Sequence, residues 1–310
     1  MEADTINLAH DEAAGAPPRT GSRWKEWRLT LKIILENKSS AAGLAIVCAY
    51  LLIAVIDWVY PALIGVHDAD ALIPNFSNTV PQAPSFAHIF GTTYPGVDLY
   101  QAIMAAIRID LYYSFQVVLG GAIIGTVVGV CAAYYGGYID EALMRFTDIF
   151  LSIPYLPFAI AIAFFLGREI SNISVALTLV WWPLYARYAR GQTLSVKENA
   201  YVEGAKASGV GTPGILRYHI IPNVLTPIFV QISLDLGTVV QVFAGLVFIG
   251  FATGNLLLPE LGTLISNGFG FAVTAPWTIL FPGLAILIFA IGMNLLGDGL
   301  RDALDPKRRT

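Results

Sequence analysis

Six long apolar runs, near 41–63, 111–134, 147–167, 173–189, 224–252 and 277–297, alternate along the chain with polar segments. A helix needs about 20 mostly apolar residues to cross a hydrocarbon core of roughly 30 Å. The runs are continuously apolar and lack the two-residue alternation of lipid-facing strands, so they predict helices and not a barrel. The chain therefore reads as an all-α polytopic membrane protein, with one domain of six transmembrane helices over 38–310. The first run follows basic residues, but it is too long for a signal peptide and lacks a small-residue cleavage site, so it reads as an uncleaved span. Composition agrees: 56% of residues are hydrophobic, only 13% are charged and the mean hydropathy is +0.65. Soluble domains carry about 25% charged residues.

Charge gives the orientation. Of the eighteen Lys and Arg residues, all but Arg108 and Arg168 fall in segments on one side of the predicted spans. The positive-inside rule then places both termini and the connection 195–222 in the cytoplasm, and the long segment of about 64–110 outside. A multi-pass protein of the cell membrane, in contact with lipid, is expected. The net charge of -4 does not favour nucleic acid as a partner. Residues 1–22, rich in Ala, Gly, Pro and acids, predict a disordered tail. In 23–37, Trp24, Trp27, Leu31 and Ile34 recur at helical spacing among Arg23, Lys25, Arg28 and Lys32. That pattern predicts an amphipathic helix in the membrane interface, either an anchor for the first span or a brace along the bundle.

Catalytic chemistry finds no support. His10, His67, His88 and His219 are scattered, and neither HExxH nor GxSxG occurs. The chain is expected to be non-catalytic and to carry no cofactor or metal of its own. Cys48 and Cys131 lie inside apolar runs and read as small buried hydrophobes. Gly209, Gly211 and Gly214 spell GxGxxG, but no strand precedes them, so nucleotide binding is rejected. Gly121, Gly125 and Gly129 lie on one face of the second span, for helix packing or for a pore lining. Asp57 and Asp148 sit near span ends, within reach of water or Arg145, whereas Asp235 is deep enough to be a candidate pathway residue. The Pro-rich outer segment suits either a receptor surface for a soluble delivery protein or a lid. A passive channel is the competing class, but it needs no docking hairpin and often shows a filter motif.

The connection 195–222 is the most structured polar segment. Ser195 and Glu198 form a capping-box pattern that predicts a helix start. Gly209 and Gly211 predict its end, and Thr212 with Pro213 predicts a second N-cap and a new short helix. The result is helix, sharp bend, helix, with small residues at the bend. Such a stiff loop suits being pushed by a soluble partner; capping signals alone are equally consistent with an orderly interhelical loop.

Glu203, Gly204, Ala205 and Gly209, followed by His219, Ile220, Ile221, Pro222 and Asn223, resemble the EAA loop of binding-protein-dependent ABC importer permeases, with Gly204 where Ala is usual. Pro282, Gly283, Ala285 and Ile286, then Asn294 through Pro306, are similar to the C-type permease of the dipeptide/oligopeptide branch. The similarity spans roughly 25–310. Gly91, Thr92, Gly96 and Asp98, and also Leu246, Phe248, Ile249 and Gly250, fit two further motifs more loosely, with departures at Thr93, Val97, Val247 and Ala252. The resemblance implies a type I ABC importer permease fold and a second permease completing a heterodimer. It also implies an external substrate-binding protein and two cytoplasmic ATPase subunits that hold the ATP and Mg. The ATPase-coupling residues would be Glu203, Gly204, Ala205, Ala207, Ser208 and Gly209. Di- or oligopeptides are the implied substrate, with an oligosaccharide or nickel importer of the same family as the alternative.

Overall fold

Long helices form wherever the apolar runs continue without a break. The computed structural model describes residues 23–59, 80–251 and 259–304. Their elements are α1 (Arg23–Glu36), α2 (Lys38–Val59), β1 (Thr92–Thr93), β2 (Val97–Asp98), α3 (Leu99–Tyr135), α4 (Gly137–Ser152), α5 (Tyr155–Leu166), α6 (Ile170–Lys197), α7 (Ala200–Ala207), α8 (Thr212–Ile215), α9 (Ile221–Phe248), α10 (Leu261–Phe269) and α11 (Trp277–Leu304). The predicted disordered tail 1–22, the first part of the outer segment, Ala252, and Asp305 and Pro306 lie outside the described residues.

Among the described residues, four helical stretches are long and apolar enough to cross a membrane: Lys38–Val59, Leu99–Tyr135, Thr212–Phe248 and Trp277–Leu304. A fifth is present if α4 and α5 are one broken span. The remaining predicted run falls in α6, which is 28 residues long and carries Trp181, Trp182, Pro183, Arg187 and Arg190. This helix packs most extensively against α3 and also against α4, α5 and α9. Its buried face, with Trp181, Trp182 and Pro183, need not be uniformly apolar, while Val175, Leu179 and Leu184 stay exposed.

The α3–α6 seam explains the glycine stripe. A Cβ on Gly125 would overlap the carbonyl oxygen of Trp182, and one on Gly129 would overlap that of Ala186. These positions let two backbones touch, so the stripe serves packing and does not line a pore. On the other flank, α11 packs against α2 and α9. The helix expected at 23–37 is present as α1; it packs against α11 and α2 and buries Ile34 while Leu31 stays exposed.

Three expectations change. The run 147–167 is not one straight helix, because α4 and α5 meet at a 91° bend. Pro154 lacks an N–H and disfavours helical backbone at Ile153, which is extended at φ -93, ψ 130. Second, α3 starts at Leu99 rather than near 111, with Asp98 as its N-cap accepting from Gln101 N at 3.0 Å. Third, Cys48 is exposed on α2 and Cys131 only half-buried, and neither forms a disulfide.

Candidate functional site

The helical hairpin of α7 and α8 is held at its base and bare at its tip. At the base, Lys197 Nζ donates to Ala133 O at 2.9 Å, tying the end of α6 to the end of α3. Asn199 Nδ2 donates to the carbonyls of Ser195 and Val196, at 3.3 and 3.1 Å, and closes α6. The capping box expected at Ser195 and Glu198 therefore does not start a helix. The α6 helix runs through Ser195 to Lys197, and Asn199 takes the N-cap of α7.

At the tip, Val210 N donates to Ala205 O at 3.1 Å and Gly209 N to Lys206 O at 3.0 Å. This pair of bonds is a Schellman motif, which requires the residue after the cap to be left-handed. Gly209 meets the requirement at φ +81. Gly211 is then the N-cap of α8, one residue before the expected Thr212, with Pro213 in the first turn. A stretch of π-helical hydrogen bonding, Leu216–Ile220, joins α8 to α9.

Side-chain direction separates anchor from contact surface. Val202, Ile215 and Ile220 are buried in the apolar core. Glu203, Gly204, Ala207, Ser208 and Gly209 are exposed, and Ala205 is half-buried. A Cβ added at Gly204 would meet nothing within 4 Å. The hairpin thus brings the six predicted coupling residues together on one short element, fixed from below by three apolar side chains. Small residues dominate its exposed tip, beside the exposed side chains of Lys206 and Val210.

Asp235 is not part of this group. It lies on α9, half-buried, and accepts from Gln231 Nε2 at 2.9 Å and Trp181 Nε1 at 3.3 Å, so it links α9 to α6. Asp57 and Asp148 also have partners other than Arg145. Arg108 Nε lies 2.8 Å from buried Asp57, and Arg187 donates to Asp148 at 2.7 Å. Arg190 grips Asp140 through two hydrogen bonds of 2.6 and 2.7 Å, fastening α4 to α6. These partners were not singled out from the sequence, where they stand 39 to 51 residues apart. The only sequence signal was an ionisable residue in or beside an apolar run, which demands a partner without naming it. At the other end of α3, the positive-φ glycines Gly91 and Gly96 lie just before β1 and in the β1–β2 turn, and His88 Nδ1 lies 2.7 Å from Asp98 Oδ2. Among the described residues, no group of three or more His, Cys, Asp or Glu is placed to hold a metal.

Comparison with known proteins follows the same lines. Residues 122–310 match the family described as binding-protein-dependent transport system inner membrane component. The chain is 38% identical over 284 residues to the dipeptide transport system permease protein DppC of Alkalihalophilus pseudofirmus, covering 92% of this chain and 91% of that protein. It is 34% identical over 300 residues to the probable D,D-dipeptide transport system permease protein DdpC of Escherichia coli, covering 97% and 98%. A solved structure of the inward-facing MetNI methionine ABC transporter shares the fold at TM-score 0.52 and 20% identity, over 67% of this chain and 96% of that one.

Proposed function

Because the chain belongs to the family of binding-protein-dependent transport system inner membrane components, and is thus a non-catalytic, multi-pass permease subunit of an ABC importer, we propose that it pairs with a second permease to form a path for di- or oligopeptides. ATP is hydrolysed on two separate ATPase subunits on the cytoplasmic side, one of which seats the α7–α8 hairpin. An external binding protein delivers the substrate. Closure of the ATPases pushes the hairpin, and α6 and α9, which leave its two ends, rock as rigid bodies to switch access. Peptide as substrate is supported by the names of the relatives at 38% and 34% identity. Asp235 is proposed to face or border the path.

One observation carries the coupling role. Gly204 is exposed on a capped helix with nothing within 4 Å of its missing side chain. Bulk added there costs nothing inside the chain and meets only a partner. Gly204→Trp is expected to leave the melting of the isolated chain unchanged and to reduce ATP-driven uptake in vesicles at least tenfold. Full uptake by a correctly assembled Gly204→Trp complex overturns the assignment.

A further inference from the structure

Two carboxyl groups meet in the interior of this chain, and among the described residues no cation acts on either. Asp110 on α3 is 2% exposed, and Glu260, which precedes α10, is 0% exposed. Asp110 Oδ2 accepts from Leu261 N at 3.1 Å, and Glu260 Oε2 accepts from Thr263 N at 2.7 Å as the N-cap of α10. The remaining oxygens, Asp110 Oδ1 and Glu260 Oε1, have no donor among the described residues. Both side chains bond the same helix start, Asp110 through Leu261 N and Glu260 through Thr263 N, which sets the two carboxyl groups against each other. Two carboxylates cannot donate to one another, and two like charges in an apolar interior repel strongly. A single proton between them supplies the missing donor and removes one charge.

Among the described residues, no cation acts on either carboxyl. Elements packed on α10 are α3, α9, α11 and β1. Of the ionisable groups they carry, Asp110 of α3 faces Glu260 and Glu260 faces Asp110; none from α9, α11 or β1 acts on either carboxyl. The nearest cation along α3, Arg108, is paired with Asp57. Burial pushes the Glu260 carboxyl above its ordinary range. The helix it caps is tightly fitted, since a Cβ on Gly262 would overlap the Ala244 carbonyl of α9.

We propose that Asp110 and Glu260 hold one shared proton and that this proton latches α10 to α3. When it leaves, two carboxylates face each other and the start of α10 is driven off α3. The device is independent of the hairpin: it sits between the ends of α9 and α11 remote from α7 and the chain terminus. In the unfolded chain both groups ionise at about pH 4. Above that, the folded chain holds one proton more than the unfolded chain. Its stability therefore falls as pH rises, by about tenfold in the folding equilibrium per pH unit, until the pair itself titrates.

The test uses the detergent-purified transporter complex. Infrared difference spectra at neutral pH are expected to show a protonated-carboxyl C=O band that disappears reversibly on alkalinisation and is missing from Asp110→Asn and Glu260→Gln. Asp110→Asn replaces the proton with an amide donor. Its melting temperature is therefore expected to lose the pH dependence that the unmodified complex shows above about pH 4. A band indifferent to both substitutions, or equal pH slopes of melting, overturns the proposal. Should neither variant assemble, the absence of any titrating carboxyl band in the unmodified complex overturns it as well.

Discussion

At Gly204 and Gly209, five residues apart, the same amino acid answers different needs, and substitution by alanine separates them. Gly209 sits at φ +81, where an L side chain costs roughly 1–2 kcal/mol. Gly204 lies inside α7 in open space, and alanine there is expected to favour the helix by about 1 kcal/mol. Gly209→Ala should thus lower the melting temperature of the complex while Gly204→Ala raises it or leaves it unchanged; the same direction for both would contradict the hairpin geometry. Position 209 was legible in the sequence because few residues other than glycine take up a left-handed C′ position readily. Ser195 and Glu198 misled because the capping pattern is local, whereas the end of α6 is set by Asn199 and by Lys197 reaching Ala133. The Asp57–Arg108 pair gives a second test at this scale. Arg108→Ala strands a buried carboxylate and should lower stability, though by less than in a fully buried pair because Arg108 is itself partly exposed, and adding Asp57→Asn should recover part of the loss. A double-mutant cycle in thermal melting measures the coupling, and zero coupling removes the pair from the fold's energetics.

Elements were legible where charge interrupts the apolar run least. Helices α2, α9 and α11 overlap the runs near 41–63, 224–252 and 277–297. By contrast, α3 was read about a dozen residues too short, since Arg108 and Asp110 interrupt its hydropathy. Arg108 is paired with Asp57 and Asp110 packs against Glu260, partners far away in sequence that no local window shows. Residues 147–167 gave the wrong shape for a related reason: composition reports the solvent, and Pro154 reports the bend. The α3–α6 seam permits a prediction at this scale. Gly129→Leu forces a side chain into the Ala186 carbonyl, and overpacking of this kind costs about 1–3 kcal/mol or more. Gly191, on α6 with nothing within 4 Å, tolerates alanine. Expression and melting of the two variants check this: Gly129→Leu should assemble poorly and Gly191→Ala normally. Equal behaviour would mean that the seam is not the close contact described.

At the scale of the whole molecule, the proposed lever needs a partner to drive it. The GxGxxG residues 209–214 follow α7 rather than a strand and form a turn and the start of α8, so they cradle no nucleotide. The hairpin is anchored by Val202, Ile215 and Ile220 and exposed at Gly204 and Ser208, which suits the proposed seating on an ATPase. It follows that active transport should be a property of the complex and never of this chain alone. Purified from its native membrane in mild detergent, the chain is expected to bring with it a second permease and two copies' worth of ATPase. Reconstituted vesicles should then accumulate peptide only when ATP, all four subunits and the matching binding protein are present. Offering that binding protein dipeptides, an oligosaccharide and nickel in parallel decides the substrate class, because each recognises different chemistry: paired charged termini, a field of hydroxyls, or a coordinated cation. Peptide binding with oligosaccharide and nickel excluded supports the peptide reading. Binding of either of the others transfers the same lever and the same six coupling residues to a different cargo. ATP-independent uptake by the isolated chain would leave the lever without a purpose and the importer mechanism without support.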